Sequence, residues 1–217
     1  MVGLERERSL WDAGSRVVAG IDEVGRGALA GPVSVGVVAL APCETWPAGL
    51  ADSKQLSPAR REAIAVELAS FGVARAVGDA TNAEVDAVGI TAALRLAALR
   101  ALGAIAESGV VVDAILLDGK HDWLSTRPVD LFDDGDDVVV PPVTMVVGGD
   151  ATCASIAAGS VLAKVARDAA MRAAHREHPE YGWEGNKGYG APGHLDALRR
   201  LGPTPLHRVS WSLPERA

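Results

Sequence analysis

The sequence predicts an α/β protein, a mixed five-stranded sheet flanked by helices with a helical C-terminal part. Three observations predict it. Apolar, valine-rich runs of strand length recur along the first two-thirds of the chain. The first two are joined too closely for a crossover helix, so they form an antiparallel hairpin. After them, strand runs alternate with helical stretches, and the last third is helical.

Arg16 to Ile21 is the first strand, followed by Asp22 and Glu23. Gly25, Gly27 and Gly31 make a small-residue turn before the second strand, Pro32 to Leu40. Pro42 to Leu56 is loop. Ser57 and Pro58 start a helix as N-cap and first helical residue; it ends near Ser70, before Gly72. Val73 to Val77 is the third strand. Thr81 to Val88 and Thr91 to Glu107 are two helices separated by Gly89. Val110 to Leu117 is a strand ending in Asp118. Phe132 to Asp137 is an acidic turn, and Val138 to Val147 a strand interrupted by Pro141-Pro142. Asp150 opens an Ala-rich helix to about Glu177. A Gly-rich loop from Pro179 to Pro192 leads to a last helix, about Gly193 to Leu201. The chain reads as one domain, 1–217, with a helical extension from about 170 onward.

Aromatic residues make up 4% of the 217, so the core must be aliphatic. A net charge of -7 argues against holding nucleic acid by bulk positive charge. A carboxylate cluster filled by cations would reverse that sign locally. Cys43 and Cys153 lie far apart, in no ligand spacing, which points to a reducing cytoplasm. The charged N-terminus is no signal peptide, and the apolar runs are too short to span a membrane.

Asp22-Glu23, Asp118 and Asp150 stand where strands or helices begin or end. Carboxylates gathered at strand ends suit Mg²⁺ or Mn²⁺. Two such ions roughly 4 Å apart activate water and stabilise the leaving oxygen in phosphodiester cleavage. Each acid alone also fits a bland role: a turn former, or for Asp150 a helix N-cap. Adjacency sets a constraint on Asp22 and Glu23. Successive strand residues face opposite sides. Either the strand ends at Asp22, or one of the two contributes less directly. The glycines from Gly25 to Gly31 could pass for a dinucleotide loop, but Pro32 and the valines after it forecast a strand where that motif needs a helix.

Asp22-Glu23-Val24-Gly25-Arg26-Gly27 resembles the signature of the type 2 ribonucleases H. Six further segments match in order: Asp52-Ser53-Lys54 with the residues after it, Leu116-Leu117-Asp118-Gly119, Gly149-Asp150-Ala151, Ser155 to Asp168, Asn186 to Gly190, and Gly202 to Trp211. The resemblance implies a ribonuclease H-like fold. It implies hydrolysis of the RNA strand of RNA–DNA hybrids and cleavage at ribonucleotides embedded in duplex DNA, with Mn²⁺ or Mg²⁺, leaving 5′-phosphate and 3′-hydroxyl ends. It assigns Asp22, Glu23, Asp118 and Asp150 to metal and catalysis. Gly25, Arg26, Gly27, Lys54, Lys164 and Tyr189 become substrate contacts, with Tyr189 stacking at the ribonucleotide junction, while Lys187 and Arg208 are either further phosphate contacts or solvated surface charges. Asp168 either assists from behind the metal ligands or pairs with Lys164 one helical turn away. The chain departs from the pattern in three places: at Lys120, at Gly148-Gly149 and at Gly159. A nucleic-acid binding module with a degenerate site is the alternative. No sliding-clamp motif follows Trp211, and the expectation is a monomer.

Overall fold

The protein is described by a computed structural model covering residues 1–125 and 139–216. Five strands form one sheet: β1 (Val18–Val24), β2 (Val33–Leu40), β3 (Ala74–Ala80), β4 (Ala114–Asp118) and β5 (Val143–Val146). Their order across it is β3-β2-β1-β4-β5. β1, β2 and β3 pair antiparallel, while β4 and β5 run parallel to β1. The sheet is therefore mixed, as the sequence predicts.

Helices cover both faces. α1 is Glu5–Asp12, α2 Pro58–Leu68, α3 Asn82–Glu107 and α4 Ala154–Glu177. α3 packs on β3 and β2; α4 packs on β1 and β2 from the other side, with α2 against it. Strand alternation divides the core accordingly. Ala19, Ile21, Val35, Val37, Ile115 and Leu117 join the α3 side. Val18, Leu116 and Val146 meet Ile156 of α4. The same period of two sends Asp22 and Asp118 to the α4 face.

α4 sits unusually close to the sheet. A Cβ on Gly36 would lie 2.0 Å from the Gly159 carbonyl oxygen, and one on Gly20 2.3 Å from the Ile156 nitrogen. Gly159 costs the helix about 1 kcal/mol relative to alanine. Its place explains the departure: a Cβ there would come 2.7 Å from the Gly36 carbonyl oxygen.

Several boundaries differ from expectation. β1 runs through Asp22 and Glu23 to Val24, because pairing with β2 continues to Ser34. β4 starts at Ala114 instead of Val110, since the Asp113 carboxylate is already engaged by the amides of Arg16 and Val17 at 2.8 and 2.9 Å. β5 is limited to four residues, as Pro141 and Pro142 bring no amide hydrogen to the ladder. The expected turn at Phe132 to Asp137, and Val138, lie outside the described residues. Asp150 is not the α4 N-cap. It belongs to a 3₁₀ turn, Gly149–Ala151, and Cys153 caps the helix. The carboxylate at the α4 start comes from Glu7 of α1, a helix the sequence did not announce; it accepts from the Ser155 amide at 2.8 Å and hydroxyl at 2.6 Å. The break predicted at Gly89 is present, with φ 77°.

α3 is long and apolar enough, by length and composition, to cross a membrane, contrary to the strand-length expectation. Here Ala93, Leu94, Ala97 and Ala98 are buried in the core beneath the sheet. The C-terminal part holds a 3₁₀ turn (Pro179–Tyr181), α5 (Trp183–Asn186) and α6 (Pro192–Leu201). Tyr181, Trp183, Ala197 and Leu198 share a cluster with Ala30 and Met171, which seats this part against the β1–β2 loop.

Candidate active site

The parallel register of β1 and β4 pairs Ile21 with Leu117, so Asp22 and Asp118 follow side by side. Asp118 Oδ1 accepts the Gly149 amide at 2.7 Å, which draws the 3₁₀ turn and Asp150 over the strand ends. One oxygen from each of Asp22, Asp118 and Asp150 lies within 4.8 Å of the others. Three elements distant in sequence thus converge on one point.

The cluster is electrostatically costly without a cation. Burial, reinforced by Glu23 and Asp118, pushes the Asp22 carboxyl up to about 7, although the Ser160 hydroxyl opposes it. Asp150 is raised by burial and by Asp118 and Asp52, against the pull of Lys54. Lys54 Nζ stands 3.6 Å from Asp150. Burial pulls that ammonium down, but Asp22, Asp150, Asp52 and Asp118 together hold it above the usual lysine range. An all-oxygen donor set of this charge fits a hard divalent cation.

Glu23 takes the other strand face and stands outside the trio, with its carboxylate 3.5 Å from Arg26. Burial raises it and Arg26 opposes. Its side chain borders the same cavity, about 320 Å³, as Asp22, Ser53, Lys54, Ser160, Lys164 and Tyr189. A larger hollow of about 570 Å³ lies at the opposite end of β4, among Leu102, Val110 and Pro142. Among the described residues its lining is mainly apolar, and Asp113, the carboxylate among them, is occupied by backbone amides.

The loop after β1 forms the cavity rim. Tyr189 Oη accepts the Gly25 amide at 3.2 Å, and the Arg167 guanidinium lies 5.5 Å from the Tyr189 ring centre. Gly25 has φ 85°, and a Cβ there would lie 2.0 Å from Arg167 Nε. Only glycine fits that position. Gly27 differs: no neighbouring heavy atom lies within 4 Å of its would-be Cβ. Across the cavity, the Ser160 hydroxyl donates to Ser53 Oγ at 2.9 Å, and Arg61 donates to the Ser53 carbonyl at 2.6 Å. These bonds moor the Lys54 loop beside the acids.

Two of the expected phosphate contacts, Arg208 and Lys187, are placed differently. Arg208 is fully buried and bonds backbone carbonyls, so it does not face a phosphate. The Lys187 ammonium is bound to the Glu184 carbonyl. Lys164 donates to Asp168 at 2.6 Å, which favours the pairing role for Asp168. His175 lies 3.7 Å from Glu184, and His178 packs edge-on against Trp183. Asp122 accepts the Leu124 and Ser125 amides. Gly148 adopts a left-handed conformation (φ 66°), and a Cβ on Gly149 would lie 2.4 Å from Ile156 Cδ1. The glycine pair at that departure therefore shapes the turn that carries Asp150. Sequence reasoning missed Ser53, Ser160 and Arg167. The available signal was weak: for Ser160 and Arg167, polar residues on the otherwise small, apolar face of α4, and for Ser53, its place beside Lys54 in the matched Asp52-Ser53-Lys54 segment.

The ribonuclease HII family model matches residues 19–213. The chain is 46% identical over 207 residues to ribonuclease HII of Streptomyces avermitilis, covering 95% of this chain and 82% of that protein. It is 45% identical to ribonuclease HII of Paracoccus denitrificans, covering 95% and 90%. Among solved structures, the ribonuclease H2 of Pyrococcus horikoshii OT3 superposes with a TM-score of 0.66 at 23% identity, covering 90% of this chain and 94% of that one. A Bst-RNase HIII structure in complex with Mn²⁺ gives 0.66 at 20% identity, covering 92% and 68%. These two likenesses establish a shared fold.

Proposed function

The chain belongs to the ribonuclease HII family, a family of metal-dependent ribonucleases H, and from that footing we propose that it cleaves at ribonucleotides embedded in duplex DNA as well as the RNA strand of RNA–DNA hybrids. The observation that carries the reading is the meeting of Asp22, Asp118 and Asp150 within 4.8 Å, beside a loop whose Gly27 faces open space.

The three aspartates would hold two Mn²⁺ or Mg²⁺ ions, with Glu23 completing the acidic rim. Bound there, the ions supply Lewis-acid activation of water and neutralise charge on the phosphate, giving 5′-phosphate and 3′-hydroxyl products. The chain's own groups position the substrate. Gly25 to Gly27 bring backbone close to the ribose, whose 2′-hydroxyl distinguishes RNA from DNA. The Tyr189 ring, 37% exposed, stacks beside the junction. Arg26 and Lys54, both with exposed ends, hold flanking phosphates, and Lys164 borders the same cavity. We place the activity in one catalytic domain acting as a monomer in the cytoplasm, a setting consistent with two free cysteines.

Asp118→Asn tests the reading. The amide oxygen can still accept from Gly149, so the fold is kept. Mn²⁺-dependent cleavage of a duplex with one embedded ribonucleotide should vanish, as it should for the unaltered protein in EDTA. Cleavage at the unaltered rate would reject the site. Duplex binding without any cleavage by the unaltered protein would favour a degenerate binding module.

A further inference from the structure

Arg208 and Arg167 are buried, and neither pairs with a carboxylate among the described residues. Such groups are costly unless their donors are all used. Arg208 donates to the carbonyls of Gly25 at 2.8 Å, Arg26 at 3.0 Å and Gly31 at 3.1 and 3.2 Å. Arg167 donates to those of Pro32, Lys187 and Ala30. Two guanidiniums therefore fasten both ends of the Gly25–Gly31 loop through its carbonyls.

Arg208 is itself held from behind. Asn82 donates to the carbonyls of Pro205 and His207 at 2.8 and 3.1 Å. Asp86 accepts the amides of Val209 and Ser210 at 2.9 and 3.0 Å. The Trp211 ring lies 5.0 Å from the guanidinium. The start of α3 thus fixes a C-terminal strap that carries Arg208 beneath the loop. With the carbonyls drawn inward, the amides of exposed Arg26 and Gly27 donate to no protein acceptor among the described residues.

We infer that Arg208 is a positioning residue for ribose discrimination: its fork turns the loop carbonyls into the protein and leaves the Arg26 and Gly27 amides free to donate to the 2′-hydroxyl and the adjacent phosphate oxygen. This rests on the reading that Gly25 to Gly27 contact the ribose. A lysine would keep the charge but could not span three carbonyls.

The experiment compares Arg208→Lys with the unaltered protein in Mn²⁺. It measures KM for a duplex with one ribonucleotide and Ki for the all-DNA duplex as competitor. The unaltered protein should give Ki/KM far above one, and Arg208→Lys should lower that ratio at least tenfold. Lost stability alone reduces the active fraction and leaves the ratio in place, so an unchanged ratio overturns the proposal. If Arg208→Lys does not fold, amide exchange in the unaltered protein with Ca²⁺ decides. Arg26 and Gly27 should be protected by the ribonucleotide duplex and not by all-DNA duplex; equal protection overturns the proposal. Failure of the underlying functional reading would appear separately, as a Ki/KM near one, or no cleavage, before any substitution.

Discussion

The phenol oxygen of Tyr189 accepts the Gly25 amide at 3.2 Å, joining the C-terminal part of the chain to the loop that follows β1. The contact gives Tyr189 two separable assets, a hydroxyl that holds the loop and a ring that meets the cavity. Tyr189→Phe removes the first and should cost about 1 kcal/mol of stability. Tyr189→Ala removes both. Base stacking on an aromatic ring is worth about 1–3 kcal/mol, so the alanine variant should lose roughly ten- to a hundredfold in kcat/KM beyond the phenylalanine one. Urea unfolding and cleavage of a single-ribonucleotide duplex check this. Equal losses for the two variants would remove the ring from the reading.

Gly25 and Gly27 make a second, sharper contrast. A methyl group at Gly25 meets Arg167 and a positive φ; one at Gly27 meets nothing in the protein. Gly25→Ala should therefore destabilise the fold by at least ~1 kcal/mol, since both strain and a displaced buried arginine contribute. Gly27→Ala should leave stability within about 0.5 kcal/mol and still weaken cleavage, because the space it fills is the space proposed for the sugar. Thermal melts set against kcat/KM separate the two. A fully active Gly27→Ala would show that no substrate group approaches there.

Asp22 predicts a pH dependence for the metal-free protein. Its carboxyl titrates near 3.8 in the unfolded chain and, chiefly through burial, at about 7 in the fold. Between those values the folded state keeps a proton that the unfolded chain has lost. Its contribution is complete below pH 3.8 and is lost as pH rises to about 7. Asp22→Asn removes this loss. In EDTA, the stability gained by Asp22→Asn should grow between pH 5 and pH 8 by on the order of 2 kcal/mol. His207, lowered to about 4 by burial and by His194, acts in the opposite sense, losing stability as pH falls below 6.5. It is common to both proteins and cancels. Mn²⁺ should reverse the ranking at pH 8, where the ionised aspartate can hold a cation. A pH-independent difference in EDTA would contradict the buried-acid account.

The acids at strand ends were legible because strand length and alternation are local properties: Asp118 closes an apolar run, and Asp22 follows one. The extension of β1 past Glu23 was not, because it depends on pairing with Ser34 and Val35, and tertiary pairing overrides local preference. The helix-cap reading of Asp150 failed for a similar reason. The carboxylate at the α4 start arrives from Glu7, almost 150 residues away in the chain. Arg208 shows the limit most clearly. An arginine that binds phosphate and one that binds carbonyls look alike in sequence, and only burial separates them.

The same distinction separates the two lysines that border the cavity. Lys164 donates to Asp168 at 2.6 Å, and both side chains are largely buried. Lys54 has a side chain 76% exposed and reaches toward Asp150 at 3.6 Å. Removing Lys164 leaves a buried carboxylate without its partner, a loss of about 3–5 kcal/mol for a buried pair. Lys164→Met should therefore unfold at clearly lower urea concentration. Lys54→Met should lower the unfolding midpoint less than Lys164→Met, since the Lys54 ammonium is mostly exposed and water screens its pull on the buried Asp150. Its effect should appear in duplex binding. A lysine that neutralises one phosphate releases counterions, and losing it should reduce the slope of log K against log salt by about 0.9. Titrating a ribonucleotide-containing duplex over a range of salt concentrations measures that slope. An unchanged slope for Lys54→Met would leave its ammonium as a local counter-charge to Asp150 and take it out of the duplex interface.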